Sequence, residues 1–168
     1  RWPAGAVGTT ALLVLTGCSA EVQRGWLPGT RETTNHNDVL TDFWVNSWIA
    51  ALSVGAAERM LNDALRYATE RKQFGKPIAE FQLIQAMLAD SKAEIYAARC
   101  MVLDAARKRD QGLNVSTEAS CSKMFATEMC GRVADRCVQI HGGAGYVSEY
   151  AIERFYRDVR LFRLYEGT

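Results

Sequence analysis

Apolar positions fall into three long stretches with helical spacing, separated by short breaks. From Thr41 to Gln73, Leu52, Ala56, Met60, Ala64 and Ala68 recur every four residues, flanked by Ile49, Leu61 and Leu65. Arg59, Asp63, Arg66 and Glu70 occupy the other faces, so the pattern predicts one amphipathic helix. Gly75 and Pro77 stop it. A second helix is predicted from Ile78 to Gln111, with Phe81, Ile84, Leu88, Ile95, Ala98, Val102 and Ala105 as its apolar stripe. Arg107, Lys108 and Arg109 suit the negative end of its dipole, and Gly112 reads as its C-cap. A third runs from Ser116, read as N-cap, to His141. It carries two adjacent apolar rows: Phe125, Met129, Val133 and Cys137 beside Ala126, Cys130, Ala134 and Val138. A face that wide needs cover from more than one neighbour. The run Gly142-Gly143-Ala144-Gly145 ends it, and a short helix is expected from Glu149 to Asp158.

Residues 1 to about 42 differ. Gly, Pro and Thr alternate there with Val, Leu and Trp, a strand-and-turn composition too short for a covered sheet. The fold class is therefore all-α: an up-down antiparallel helical bundle with a short irregular or β-like N-terminal arm. Residues 1–45 form the arm or the remnant of a preceding domain, and residues 46–168 form the bundle. Three long helices leave a bundle incomplete, so a fourth is expected after Glu166.

With 48% hydrophobic and 23% charged residues, the chain has a globular composition. A net charge of +1 with scattered basic residues gives no reason to expect nucleic acid or an anionic membrane surface. No apolar run approaches the roughly 20 residues that span a bilayer. The run Ala11–Leu15 before Cys18 resembles a lipoprotein signal, but it is short and follows no initiating Met, so a buried strand is the expected reading. The five cysteines are odd in number and lack C-x-x-C spacing, which argues against a disulfide framework or a zinc site. Four of them fall in predicted helices and are expected to be small buried apolar groups in a reducing compartment: the cytoplasm, or the mitochondrial matrix of a eukaryote. Two histidines are too few for a His-rich metal site.

Three segments carry candidate chemistry. In Glu70-Arg71-Lys72-Gln73-Phe74-Gly75-Lys76, a helix end followed by a tight turn would aim the Arg71 guanidinium at a phosphate. The plain alternative is a solvated helix terminus. In Gln139-Ile140-His141-Gly142-Gly143-Ala144-Gly145-Tyr146, glycines at a helix boundary admit close backbone approach to a ligand, unless they are an ordinary cap. In Tyr156-Arg157-Asp158-Val159-Arg160 and then Tyr165-Glu166-Gly167-Thr168, a lone carboxylate beside an aromatic and a glycine is either a desolvated base or an exposed glutamate.

Together, in this order and at these spacings, the three motifs resemble the C-terminal domain of the acyl-CoA dehydrogenase family. The resemblance covers about residues 46–168. It implies a four-helix bundle that, in the family, follows an N-terminal helical domain and a middle β-domain, with FAD in the cleft between the last two. It further implies that Arg71 contacts the FAD diphosphate with Gln73 and Phe74 beside it, and that Gln82 lies near the same end. By the same resemblance Gln139, Gly142 and Gly143 hold the ADP portion, Thr168 lies against the flavin, Gly167 lies at the substrate and Glu166 is the catalytic base. The family's motifs reach the FAD of a neighbouring subunit, which implies a homodimer or homotetramer. Acyl-CoA is the implied substrate and electron-transferring flavoprotein the implied acceptor.

The implied reaction is α,β-dehydrogenation: Glu166 takes the α-proton of the thioester and the β-hydride goes to flavin N5. Some family members carry the base on the first long helix. The matching position here is near Val45-Asn46, and neither residue is an acid. Other members have an arginine where Asn46 aligns, so the substrate pocket differs there. Two further readings stay open: a non-catalytic oligomerisation module of the same origin, and a flavin oxidase of the same superfamily. Because the covering domains are absent from residues 46–168, the isolated chain is expected to be nearly inactive.

Overall fold

A computed structural model describes residues 36–164, with side chains from residue 43. The expected N-terminal arm, and Glu166, Gly167 and Thr168, lie outside the described residues. The order is α1 (His36–Glu70), a small hairpin β1 (Lys72–Gln73) and β2 (Lys76–Pro77), a 3-10 turn (Ile78–Glu80), α2 (Gln82–Asp110), α3 (Ser116–His141), a second 3-10 turn (Gly142–Tyr146), α4 (Ile152–Asp158) and a third 3-10 turn (Val159–Arg163). The long helices run up, down and up, as the all-α reading expects, and α1 packs most extensively against α3.

The boundaries differ from the sequence reading in informative ways. α1 begins at His36 rather than Thr41, and its early residue Phe43 is buried with Ala105, Val115 and Ala119 in a small cluster at the far end of the bundle. α1 ends at Glu70, three residues before the expected Gln73. There the chain turns through an antiparallel pair, Lys72 opposite Pro77 and Gln73 opposite Lys76. Both loop residues, Phe74 (φ 51°) and Gly75 (φ 83°), are left-handed, as a two-residue hairpin requires. The predicted second helix is broken at Phe81, whose extended backbone (φ −87°, ψ 130°) separates the 3-10 turn from α2.

α2 closes as expected. The N–H of Gly112 donates to the Arg109 carbonyl (2.9 Å) and that of Leu113 to the Lys108 carbonyl (3.2 Å), a Schellman arrangement. Ser116, however, is not the N-cap of α3. Asn114 takes the capping role from one turn position earlier, its Oδ1 accepting from the Ser116 N–H (3.2 Å) and Oγ–H (2.9 Å). Val115 stands at the N-cap itself with no side-chain capping bond, and Ser116 is already inside the helix with its hydroxyl held by the same Asn114 oxygen.

The main core draws on all three long helices: Met60, Ala64 and Ala68 of α1, Ile95, Ala98 and Val102 of α2, and Met129, Val133 and Cys137 of α3. Small residues dominate, so the α1 and α3 backbones approach closely. Leu52 and Leu65, expected on the α1 stripe, are exposed, whereas Ser53 is fully buried with its Oγ–H donated to the Ile49 carbonyl (2.8 Å). On a 3.6-residue helix Leu65 lies about 140° round α1 from the buried Met60, and Leu52 about 80°. Cys130 and Cys137 are buried as expected, but Cys100 and Cys121 are exposed. Cys100 lies two residues from both Ala98 and Val102, about 200° round α2 from each. Ion pairs stitch the outer edges. Glu94 accepts from Arg132 (2.9 Å) and Arg136 (2.8 Å), Lys108 joins Glu118 (3.1 Å), and Arg99 joins Glu58.

Candidate functional site

Because α1 and α3 run in the same direction, their C-terminal ends meet. Tyr67, one turn before Arg71, stacks on His141 with ring centroids 4.4 Å apart. The first two motifs, about seventy residues apart in sequence, therefore share one end of the bundle.

The hairpin after α1 is a rigid, outward-facing feature. The N–H of Arg71 still donates to the Tyr67 carbonyl (2.8 Å), while its own carbonyl accepts from Ile78 (2.9 Å), so the hairpin is clamped at its base. Arg71 and Gln73 are exposed, and among the described residues Arg71 has no ion-pair partner. Phe74 at the tip is 93% exposed; among the described residues its ring neighbour is Phe81, edge-on at 6.3 Å, and Lys76 lies over the Phe81 ring at 4.7 Å. Gln82 opens α2 beside this group and is also exposed.

Across the same end, Gln139 projects from the last turn of α3, exposed, and Gly142 caps that helix at φ 59°. A Cβ at Gly142 or Gly143 would meet nothing within 4 Å. Internal crowding thus gives no reason for Gly143, and both glycines leave bare backbone open to an approaching group. Gly145 is different: a Cβ there would lie 2.7 Å from the Val138 carbonyl, so it serves the packing of the turn.

The third motif lies partly outside the described residues. What precedes Glu166 is fixed: Ile152 and Val159 are buried in the main core, Phe155 and Phe162 pack against it, and Arg163 lies beside Glu128 (3.5 Å) of α3. Sequence reasoning overlooked the aromatic group formed by Tyr67, His141 and Tyr150. The last stands edge-on to the other two, at 5.8 and 6.0 Å. The available signal was positional: each ring lies within five residues of a glycine-bearing motif.

The family model for the acyl-CoA dehydrogenase C-terminal domain matches residues 47–168. The chain belongs to the acyl-CoA dehydrogenase family. It is 48% identical over 120 residues to the caffeyl-CoA reductase–Etf complex subunit CarC of Acetobacterium woodii, covering 71% of this chain and 32% of that one. It is 43% identical over 120 residues to the short-chain specific acyl-CoA dehydrogenase of Megasphaera elsdenii, covering 71% and 31%. In three dimensions it matches the butyryl-CoA dehydrogenase of Megasphaera elsdenii with a TM-score of 0.75 and 41% identity, over 77% of this chain and 34% of that one. The chain spans about a third of the length of the curated relatives it matches. The acyl-CoA dehydrogenase family is one of flavoprotein oxidoreductases, and this chain has the helical fold of its C-terminal domain. Among the described residues no helix is long and apolar enough to cross a membrane.

Proposed function

We propose that this chain is the FAD-facing helical domain of an acyl-CoA dehydrogenase that oxidises an acyl-CoA thioester across its α,β bond, with Glu166 as the base. One observation carries the reading: the exposed Arg71–Phe74 hairpin and the open Gly142-Gly143 backbone lie at one end of the bundle. Neither has an internal packing role that accounts for it.

These residues fit the cofactor's chemistry. An exposed guanidinium with no carboxylate partner among the described residues suits a diphosphate. Bare glycine backbone at a helix end admits a nucleotide closely. Arg71, Gln73, Phe74 and Gln82 would hold the diphosphate end, Gln139, Gly142 and Gly143 the ADP portion, and Thr168 the flavin end. When bound, FAD supplies the two-electron acceptor for the reaction.

The protein's part is position and proton transfer. Glu166 takes the α-proton, and its backbone N–H donates to the thioester carbonyl, stabilising the enolate that develops. Gly167 leaves room for the thioester beside the base. Electron-transferring flavoprotein as acceptor and a homodimer or homotetramer complete the proposal; the relative named as part of an Etf complex supports the former.

Absorbance between 350 and 500 nm after addition of FAD tests cofactor binding. In FAD-loaded protein, Glu166→Gln is expected to keep the flavin and lower the residual acyl-CoA-dependent dye reduction that the wild-type chain shows, by up to about 10²–10⁴-fold. Normal turnover in that variant would overturn the assignment of the base. If wild-type chain binds no FAD, the assembly-module reading describes it better.

A further inference from the structure

Beside the FAD-facing edge, the same end of the bundle holds a cleft of about 340 Å³ that the proposed function does not use. Its aromatic wall is Tyr67 and His141, stacked, with Tyr150 edge-on to both. Its rim carries Glu70 and Glu149, which have no ion-pair partner among the described residues, and Asp63. Asp63 is already shared by Arg59 (2.8 Å) and Arg66 (3.0 Å), which also border the cleft, so three carboxylates face two guanidinium groups.

Three further observations set the sign of the ligand. Two long helices end here, each presenting the negative end of its dipole, while the seven-residue α4 begins here at Ala151 and Ile152 and presents its positive end. α1 has no basic residue in its last turn and carries Glu70 there, whereas α2 ends in Arg107, Lys108 and Arg109. His141 is 6% exposed, and its Nδ1 lies 2.7 Å from the Cys137 carbonyl, to which it donates. In the neutral ring this leaves the Nε2 lone pair without a partner among the described residues, at the wall of the cleft. An unpaired ring acceptor, two carboxylates without ion-pair partners among the described residues and two helix C-termini favour a cation that donates several hydrogen bonds, which suits the fork of a guanidinium.

We propose that the cleft walled by Tyr67, His141 and Tyr150 is a binding site for a guanidinium group. Its carboxylate rim pairs with the charge, His141 Nε2 accepts one N–H, and the Tyr67, His141 and Tyr150 rings border the group. The group comes either from a free small molecule or from an arginine of a second copy of this chain.

The test uses the whole chain and N-acetylarginine amide, with the neutral isostere N-acetylcitrulline amide as control. The chain has two histidines, so in a His36→Gln background the imidazole C–H signals in NMR report on His141 alone. The arginine derivative is expected to shift them saturably and the citrulline derivative at least tenfold more weakly. Glu70→Gln with Glu149→Gln, two surface changes, is expected to weaken binding at least tenfold while the spectrum stays that of a folded chain. Equal response to both derivatives, no saturable shift, or unchanged affinity in the double variant overturns the site. Sedimentation separates the sources. Dissociation of a self-associated form by the arginine derivative assigns the group to a second copy, and unchanged sedimentation assigns it to a free small molecule. Either result keeps the site.

Discussion

The guanidinium of Arg163 lies where a side chain at position 131 would begin: a Cβ on Gly131 would meet Nη2 and stand 2.7 Å from Cζ. Gly131 is mid-helix in α3, where glycine is otherwise unfavourable. Its absence of a side chain lets the last described turn lie against α3, with Arg163 beside Glu128.

Gly131→Ala is expected to have two opposed effects. Helix propensity gains about 0.8–1 kcal/mol, while displacing Arg163 loses a partly exposed ion pair of about 0.2–1 kcal/mol. Global stability should therefore change by less than about 1 kcal/mol. The segment Val159–Arg163 should loosen, seen as faster amide hydrogen exchange there than in wild type. Since Glu166 follows three residues later, acyl-CoA-dependent dye reduction in FAD-loaded protein should fall as well.

Met129 has no exposed surface and sits where all three long helices meet. Met129→Ala is expected to cost about 2–5 kcal/mol, because small neighbours such as Ala64 and Ala126 cannot expand to fill the void. Urea unfolding should show a lower midpoint at an unchanged slope.

Burial by itself would raise the pKa of Glu94, but hydrogen bonds from Arg136 and Arg132, with their charges, outweigh it and hold the carboxyl below its ordinary 4.5. A carboxylate with a depressed folded-state pKa stabilises the protein above the unfolded value, and that contribution is lost as pH falls through the folded one. Glu94→Gln should thus cost about 0.5–1 kcal/mol at pH 7, as expected of a solvent-screened ion-pair cluster. The difference from wild type should shrink as pH drops below about 4.5, measured as unfolding midpoints across that range.

Burial pushes the Cys130 and Cys137 thiols from 9.0 up to about 12. Cys100 and Cys121 are exposed. At pH 8 a thiol-specific reagent should modify Cys100 and Cys121 quickly. Cys130 and Cys137 should react far more slowly, because burial both shields the sulfur and suppresses its thiolate. Peptide mapping after a short pulse checks this, and addition of denaturant should equalise the four.

Much of this was legible in the chain itself. The periodicity of Met60, Ala64, Ala68, Met129, Val133 and Cys137 marked the seam, because a buried helix face must repeat. Gly112 marked the end of α2, because a left-handed residue there completes the closing hydrogen bonds. The motif spacing marked the family. The misses have local causes. Asn114 capped α3 in place of Ser116, and the Phe74-Gly75 turn shortened α1. Leu52 and Leu65 fell off the buried stripe, about 80° and 140° round α1 from Met60. That Tyr67 meets His141 follows from α1 and α3 being parallel neighbours, which the up-down order implied, but no local pattern in either segment marked the contact.

That parallel arrangement also bears on how the bundle is made. The α1–α2 and α2–α3 connections are short, so those pairs close with little loss of chain entropy. The broader α1–α3 seam joins segments separated by the whole of α2 and must wait for α3. During synthesis, the small-residue face of α1 around Ala57, Met60 and Ala64 therefore emerges well before its cover, and that interval is when this chain is most open to chaperones and to aggregation.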